Sequence, residues 1–471
     1  MKKIKILTIL ILFTFLFSTT STVSFAEENI ASDITKQTEF SSIGFNEIKA
    51  LTDGDTNKYI KSNQNAQLTL KNNNGINGIY LIIGEDYPEF TIINNDTKTE
   101  KSSKKSAIAH RYIDISSIFG ACPKSITLSF QDSILLSEIT VFSQGILPKN
   151  IQNWQEPIQN GADILLFSTH GDDEQLFFAG LIPLYAVEKN ARVQVVYMTS
   201  HPNDSRRMHE MLNGLWAVGC KYYPVFGNFA DFRIDDIEGT YKKYESLGVT
   251  REALQGFVVE QIRRFKPLVV IGHDIKGEYG HGMHMVYSDL VQKSVELSAD
   301  NNVFLDSVQK YDVWTVEKTY LHLYENNKII IDYDIPLNSF NQMTAFEVSQ
   351  KLGYPCHISQ QYTWFTDWIN GKNKEISKAS QIKKYSPCEF GLYKSTVGQD
   401  ILKNDFLENI TTYEQREIAK KQELVEQQNS DKIEVDIVKK KTLALPITIF
   451  VSIIICLFIF IAIKIIKNRK K

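Results

Sequence analysis

Short apolar runs recur through the second half of the chain, and helical patterns separate them. Residues 164–167, 193–198, 222–226 and 268–272 each suit a strand, and Ile-Leu-Leu-Phe at 164–167 and Leu-Val-Val-Ile-Gly at 268–272 are apolar enough to be buried on both faces. After the first run, Leu176, Phe177, Ala179, Gly180, Leu181, Leu184 and Tyr185 suit a helix reaching residue 188. Asp204 caps a predicted helix over 205–218, and Thr250 caps another over 251–265 that Pro267 stops. Strands alternating with helices predict an α/β domain with a Rossmann-like parallel sheet. Further on, 285–296 reads as a helix. Residues 314–324 alternate, 325–327 turn and 328–334 run back, which predicts a hairpin. Residues 227–247, rich in Asp, Tyr and Gly without a clear period, predict a lid-like loop. Residues 345–352 look helical. Residues 359–368, with Trp364, Phe365 and Trp368, are aromatic and polar together, and 385–409 predicts an ordered loop. The α/β domain therefore covers 160–410, its C-terminal part walling one side of the site.

The first half has a different period. Residues 67–70, 79–83, 125–130 and 137–142 are short strands, several of them alternating, with polar or glycine-containing turns between them. They predict a β-sandwich domain over 40–145, followed by a linker at 147–159 punctuated by Pro148 and Pro157.

The two ends add a membrane to the picture. Residues 1–26 read as a signal peptide: Lys2, Lys3 and Lys5, an apolar stretch to Phe17, then Ser24-Phe-Ala26 as the cleavage site. Residues 413–442 are rich in Gln, Glu and Lys and predict a solvated, charged stalk. Residues 443–466 are almost wholly apolar and long enough to span a bilayer as a transmembrane helix. Lys464, Lys467, Arg469, Lys470 and Lys471 outnumber Lys439, Lys440 and Lys441 on the other flank, which favours the C-terminus inside. The expected protein is a single-pass cell-membrane protein with its ectodomain outside the cytoplasm. A net charge of −3 over 471 residues gives no electrostatic case for nucleic acid. Of five cysteines, Cys456 lies in the apolar run, and Cys122, Cys220, Cys356 and Cys388 match no zinc ribbon; a Cys356–Cys388 bridge and free buried thiols are both compatible with the spacing.

Candidate chemistry gathers where two of the apolar runs end. The first is followed by His170-Gly-Asp-Asp-Glu174, at the carboxyl end of a strand, where open α/β sheets bind ligands. Three adjacent acids repel unless a cation or protons offset them; an acidic first helical turn is the plainer reading. The run at 268–272 is followed by His273-Asp-Ile-Lys-Gly-Glu-Tyr-Gly-His-Gly-Met-His284, whose His281 and His284 share a helix face. Histidines and an aspartate with an open position suit one Zn²⁺ best, with Fe²⁺ and Mn²⁺ as alternatives. No G-x-G-x-x-G follows the first strand, and acids are the wrong charge for a pyrophosphate, which argues against a nucleotide cofactor.

Read in order, Thr169-His-Gly-Asp-Asp-Glu174 and then Lys266-Pro-Leu-Val-Val270 leading to Tyr279-Gly-His-Gly-Met-His284 resemble the paired signature of the PIG-L/LmbE-type de-N-acetylases, A-H-P-D-D-E followed by P-D-x-V and G-H-x-x-H. Arg207, Glu210 and Gly219 resemble that family's R-x-x-E helix ending in glycine. The likeness covers about 163–290. Gly171 stands for the usual proline and Gly282-Met283 for Pro-Asp; neither removes a ligand. The resemblance implies a zinc-dependent deacetylase of N-acetylglucosamine-type groups on a glycan or glycolipid. Carried over by position, His170, Asp173 and His284 are the metal ligands, Asp172 the general base and His281 the support of the oxyanion. Tyr279 and His273 lie close by, with structural use the simpler reading, and Glu174 caps the helix. In the first half, Ala50-Leu-Thr-Asp-Gly-Asp55 and Leu136-Ser-Glu-Ile-Thr-Val-Phe142 resemble segments of discoidin-like (galactose-binding-like) modules. Two other readings stay open at this stage: a catalytically silent carbohydrate-binding surface protein, against which the intact five site residues argue, and a zinc hydrolase of another amide.

Overall fold

The computed structural model describes residues 29–84, 87–159, 161–201, 204–361, 368–369 and 376–468. The proposed signal peptide and two of the aromatic residues expected to wall the site, Trp364 and Phe365, lie outside these residues. The chain divides into two compact units, one from residues 1–156, 201–223 and 355–360, the other from 157–200, 224–354 and 361–471.

In the first unit the strands are β1 (Glu39–Ile43), β2 (Ile60–Lys61), β3 (Ala66–Lys71), β4 (Gly78–Ile83), β5 (Phe90–Asn94), β6 (Thr99–Ser103), β7 (His110–Asp114), β8 (Ser125–Phe130) and β9 (Leu135–Phe142). They form two antiparallel sheets, β1-β3-β8-β5-β6 and β2-β9-β4-β7. The period-2 pattern decides which side chains go inside. Ala66, Leu68 and Leu70 of β3 face Phe130, Leu128 and Ile126 of β8, and these join Ile79, Leu81, Leu136, Ile139 and Val141 of the other sheet in one core.

The same unit includes the helix Ser205–Ala217, and a file of four rings ties it to the sheets. The Tyr80 hydroxyl is 2.8 Å from His110 Nδ1, His110 Nε2 is 2.7 Å from His209 Nδ1, and His209 Nε2 is 3.0 Å from the Tyr59 hydroxyl. Two neutral imidazoles share one proton across the central contact; two charged ones would set donor against donor. Burial holds both rings below the usual histidine range, and His209 pushes His110 down further. The unfolded chain therefore takes up protons first as pH falls through the ordinary value near 6.5, so this contribution to stability is full above that pH and lost below it. Glu138 opposes it, because burial pushes its carboxyl up to about 7 and the folded state binds that proton first. A variant carrying His110→Asn and His209→Asn isolates the rings. Between about pH 7.5 and 5.5 the wild-type chain should lose stability more steeply than this variant, by up to ~1.4 kcal/mol per pH unit for each ring. Equal slopes in pH-dependent thermal unfolding would contradict the assignment.

The second unit holds β10 (Ile164–Ser168), β11 (Val193–Tyr197), β12 (Val225–Phe226), β13 (Val269–Gly272), β14 (Lys318–His322), β15 (Lys328–Ile330) and β16 (Glu389–Ser395) in one sheet, ordered β12-β11-β10-β13-β14-β16-β15. The first five are parallel neighbours, and β16 runs antiparallel to both β14 and β15. From β10 the chain moves one way to β11 and later returns on the other side as β13, so the order reverses between β10 and β13. Such a reversal opens a crevice at the strands' carboxyl ends.

Four local expectations differ from the structure. Residues 385–409 are not all loop but hold β16. Residues 314–334 are not a hairpin, because β16 lies between β14 and β15. Gly391 lets it pass: a Cβ there would lie 2.2 Å from the Tyr324 carbonyl and 2.6 Å from that of Asn326. Within 227–247, residues Ile237–Ser246 form a helix, capped by Asp236 and burying Thr240, Tyr241 and Tyr244. After β10 the helix is only Asp173–Leu176, and a π-helical segment, Pro183–Glu188, follows. Gly180, at φ +92° and packed on the Tyr333 ring, separates the two.

No disulfide joins any of the five cysteines, so Cys356 and Cys388 are not bridged. The final helix, Tyr413–Asn468, starts where the Tyr413 backbone N–H meets Asp163 and its hydroxyl meets the Lys266 carbonyl. Its segment Ile447–Ile466 is long and apolar enough to cross a membrane.

Candidate active site

The loops after β10 and β13 meet because their strands are paired, with Leu166 opposite Ile271. His170, Asp172, Asp173, His281 and His284, the five residues picked out from the sequence, all lie in these two loops or in the first turn of the helix that follows each, and are all buried. Three of their atoms form a nearly equilateral triangle. His170 Nδ1 is 3.2 Å from Asp173 Oδ2 and 3.1 Å from His284 Nε2, and His284 Nε2 is 3.3 Å from Asp173 Oδ2. Donors ~2.0–2.1 Å from one tetrahedral Zn²⁺ stand about 3.3 Å apart, so the spacing and the N,N,O chemistry both fit such an ion. The electrostatics call for positive charge at the same place. Burial would raise the Asp173 carboxyl, but His284 and His170 outweigh it and hold the group well below the carboxylate range. Burial would lower His170, but Asp173 and Asp231 push it up to about 10. Either protons or a cation must occupy this cluster.

Two further groupings could hold a metal by distance, His170 with His281 and His284, and Asp173 with His273 and His284. Hydrogen-bond direction narrows them. His281 Nδ1 accepts the Met283 backbone N–H at 3.2 Å, capping the helix Gly282–Leu297. Burial together with His170 and His284 holds this ring down to about 2. It is therefore neutral with its proton on Nε2, which makes it a donor and not a ligand. His273 Nε2 accepts the Thr169 backbone N–H at 3.0 Å, which uses its lone pair. Asp172 precedes the short helix Asp173–Leu176, its carboxylate does not cap that helix, and its charge is felt by the Tyr279 hydroxyl.

Gly282 explains one departure from the family pattern. Its N–H donates to the Ile234 carbonyl at 2.7 Å, and a Cβ would lie 2.1 Å from Thr240 Oγ1. Proline, with a ring and no N–H, does not fit against this segment. Arg207, Glu210 and Gly219 lie in the first unit, where Glu210 accepts hydrogen bonds from the backbone and hydroxyl of Ser359 and Gly219 takes φ +88° after the helix.

Sequence reading passed over three side chains. Asp231 Oδ1 lies 3.4 Å from His170 Nε2. Glu278, wholly buried, meets three histidines, one of which is His322 at the end of β14. A glutamate between two glycines and a histidine in an alternating strand carry no local mark of a site; only the fold brings them together.

Residues 165–295 match the PIG-L family. The matching family model is described as PIG-L: GlcNAc-PI de-N-acetylase. The chain is 25% identical over 179 residues to a 1D-myo-inositol 2-acetamido-2-deoxy-alpha-D-glucopyranoside deacetylase of Catenulispora acidiphila, a match covering 33% of this chain and 54% of that one. The chain thus spans about half the length of that relative. Among solved structures, an N,N'-diacetylchitobiose deacetylase from Pyrococcus horikoshii matches at 16% identity with a TM-score of 0.33, over 50% of this chain and 85% of that one. A pectin-binding carbohydrate-binding module matches 25% of this chain and 96% of its own, with 16% identity and a TM-score of 0.18.

Proposed function

We propose that the chain is a membrane-anchored, zinc-dependent de-N-acetylase that removes acetyl from N-acetylglucosamine-type groups of a glycan or glycolipid. The observation that carries this reading is the triangle of His170 Nδ1, Asp173 Oδ2 and His284 Nε2 at 3.1–3.3 Å, within a segment that matches de-N-acetylases. We take those three residues as the ligands of one divalent ion and the five parallel strands beneath them as Rossmann-like.

His170, Asp173 and His284 would hold a Zn²⁺ ion, which would supply a Lewis acid and lower the pKa of a water toward ~7. Asp172 would take a proton from the water whose oxygen attacks the acetamide carbonyl. The His281 Nε2–H, neutral and pointed away from its backbone cap, donates to the oxyanion that develops. The C–N bond breaks and Asp172 returns the proton to the leaving amine, giving acetate and a free amino sugar. Acetate release from a panel of N-acetylated glycans and glycolipids by the purified full-length chain tests the reading. Release from none of them, by metal-loaded protein, would count against it.

The body lies outside the cytoplasm in this proposal, carried there by the signal peptide and held by the helix containing Ile447–Ile466. A tag after Lys471 should resist protease added to intact cells while one near Glu27 is removed; loss of both would overturn this topology. The N-terminal sandwich serves in this proposal as a discoidin-like carbohydrate-binding module. Retention of the full chain on a polysaccharide column, lost when residues 40–145 are deleted, is the expected result.

A further inference from the structure

The wholly buried carboxylate of Glu278 sits behind the ligand cluster and is hydrogen-bonded on every side. His284 Nδ1–H donates to Oε2 at 2.7 Å and His273 Nδ1–H donates to the same oxygen at 2.9 Å. Oε1 accepts from His322 Nδ1–H at 2.6 Å and from the Asp274 backbone N–H at 3.1 Å. Four donors on two oxygens saturate a carboxylate. The far side of each ring then has a fixed character. His284 Nε2 is a lone pair facing His170 and Asp173. His273 Nε2 is a lone pair taken by the Thr169 N–H, which stands just before His170. His322 Nε2 faces the Ser386 carbonyl at 2.9 Å and donates to it.

The backbone is bent to bring Glu278 here. Gly277 has φ +64°, and a Cβ on it would lie 2.5 Å from the His281 carbonyl. Tyr279 sits at φ +46°, a left-handed conformation that bulky residues avoid. Backbone strain of this kind persists where the surroundings enforce it, and it clusters at functional sites.

We propose that Glu278 is the positioning residue of the metal centre. One carboxylate turns Nε2 of His284 toward the ligand cluster and, through His273 and Thr169, sets the distance between the loop bearing His284 and the loop bearing His170 and Asp173. His322 anchors the carboxylate from β14. This inference rests on the metal-site reading above. Met283, where the family pattern has an acid, is buried and offers no such carboxylate.

The test is the affinity of the full-length chain for Zn²⁺ and Co²⁺, with zinc measured by competition against a chromophoric chelator and cobalt by its ligand-field spectrum. Glu278→Gln keeps the volume but places an amide N–H against imidazole N–H donors. It should weaken metal binding by ~10–100-fold, alter the cobalt spectrum and recover activity when metal is in excess, with thermal unfolding little changed. Wild-type affinity with an unchanged spectrum would overturn the proposal. His284→Ala in the same titration separates the two readings. Tight binding there would remove the ligand assignment itself, whereas loss there with unchanged affinity in Glu278→Gln overturns only the role of Glu278. Should Glu278→Gln unfold, nitrogen-15 histidine NMR of the zinc-loaded wild-type chain decides: His284 and His273 protonated on Nδ1 support the proposal, and His284 protonated on Nε2 overturns it.

Discussion

Alanine at His284 should leave the chain without its metal and lower acetate release by on the order of 10³-fold or more. The site has three donor atoms spaced at 3.1–3.3 Å, and a catalytic zinc needs three protein ligands to leave one position open. Removing one imidazole leaves a nitrogen and a carboxylate oxygen, and it also leaves Glu278 without one of its four donors. Asp173→Ala should behave alike, since its Oδ2 faces both ligand imidazoles and accepts the His170 backbone N–H at 2.8 Å. Elemental analysis beside initial rates checks both variants. Full metal occupancy in His284→Ala would remove the ligand assignment.

Asparagine at Asp172 should separate chemistry from metal binding. Asp172 and Asp173 are adjacent; Asp173 sits among the clustered histidines, and the charges of Asp173 and then Asp172 both act on the Tyr279 hydroxyl. The amide fills the same volume and accepts a hydrogen bond but takes no proton at neutral pH. The metal should stay, and the rate should fall ~10²–10⁴-fold, the usual worth of a general base. A wild-type rate, or loss of zinc as complete as in Asp173→Ala, would mean that the roles are assigned wrongly.

The parallel strands were legible because strands buried on both faces must be apolar throughout, as 164–167 and 268–272 are. The two loops that bring the buried histidines and aspartates together were legible because each follows such a strand directly, so that finding the strands also located the loops. What local pattern misses is whatever distant pairing creates. β16 enters between β14 and β15 from some sixty residues downstream, and no alternation within 314–334 records that. The helix Ile237–Ser246 buries tyrosines and a threonine instead of aliphatics, so its period is muted. Glu278 and His322 are far apart in sequence and become partners only when β14 lies beside β13. The protonation of His281 depends on a backbone N–H two residues on, which appears only once the helix start is fixed. Gly282, a departure from the family pattern in sequence, is explained by the Ile234 carbonyl and Thr240 that press on it.

Metal-dependent amide hydrolysis is the central claim, and zinc titration into the metal-free full-length chain, with acetate release from an N-acetylglucosamine glycan followed at each addition, tests it most directly. The expected result is no release without metal, a linear rise that stops at one equivalent per chain, and no rise in His284→Ala. Release that persists after complete chelation, or that rises equally in His284→Ala, would contradict it.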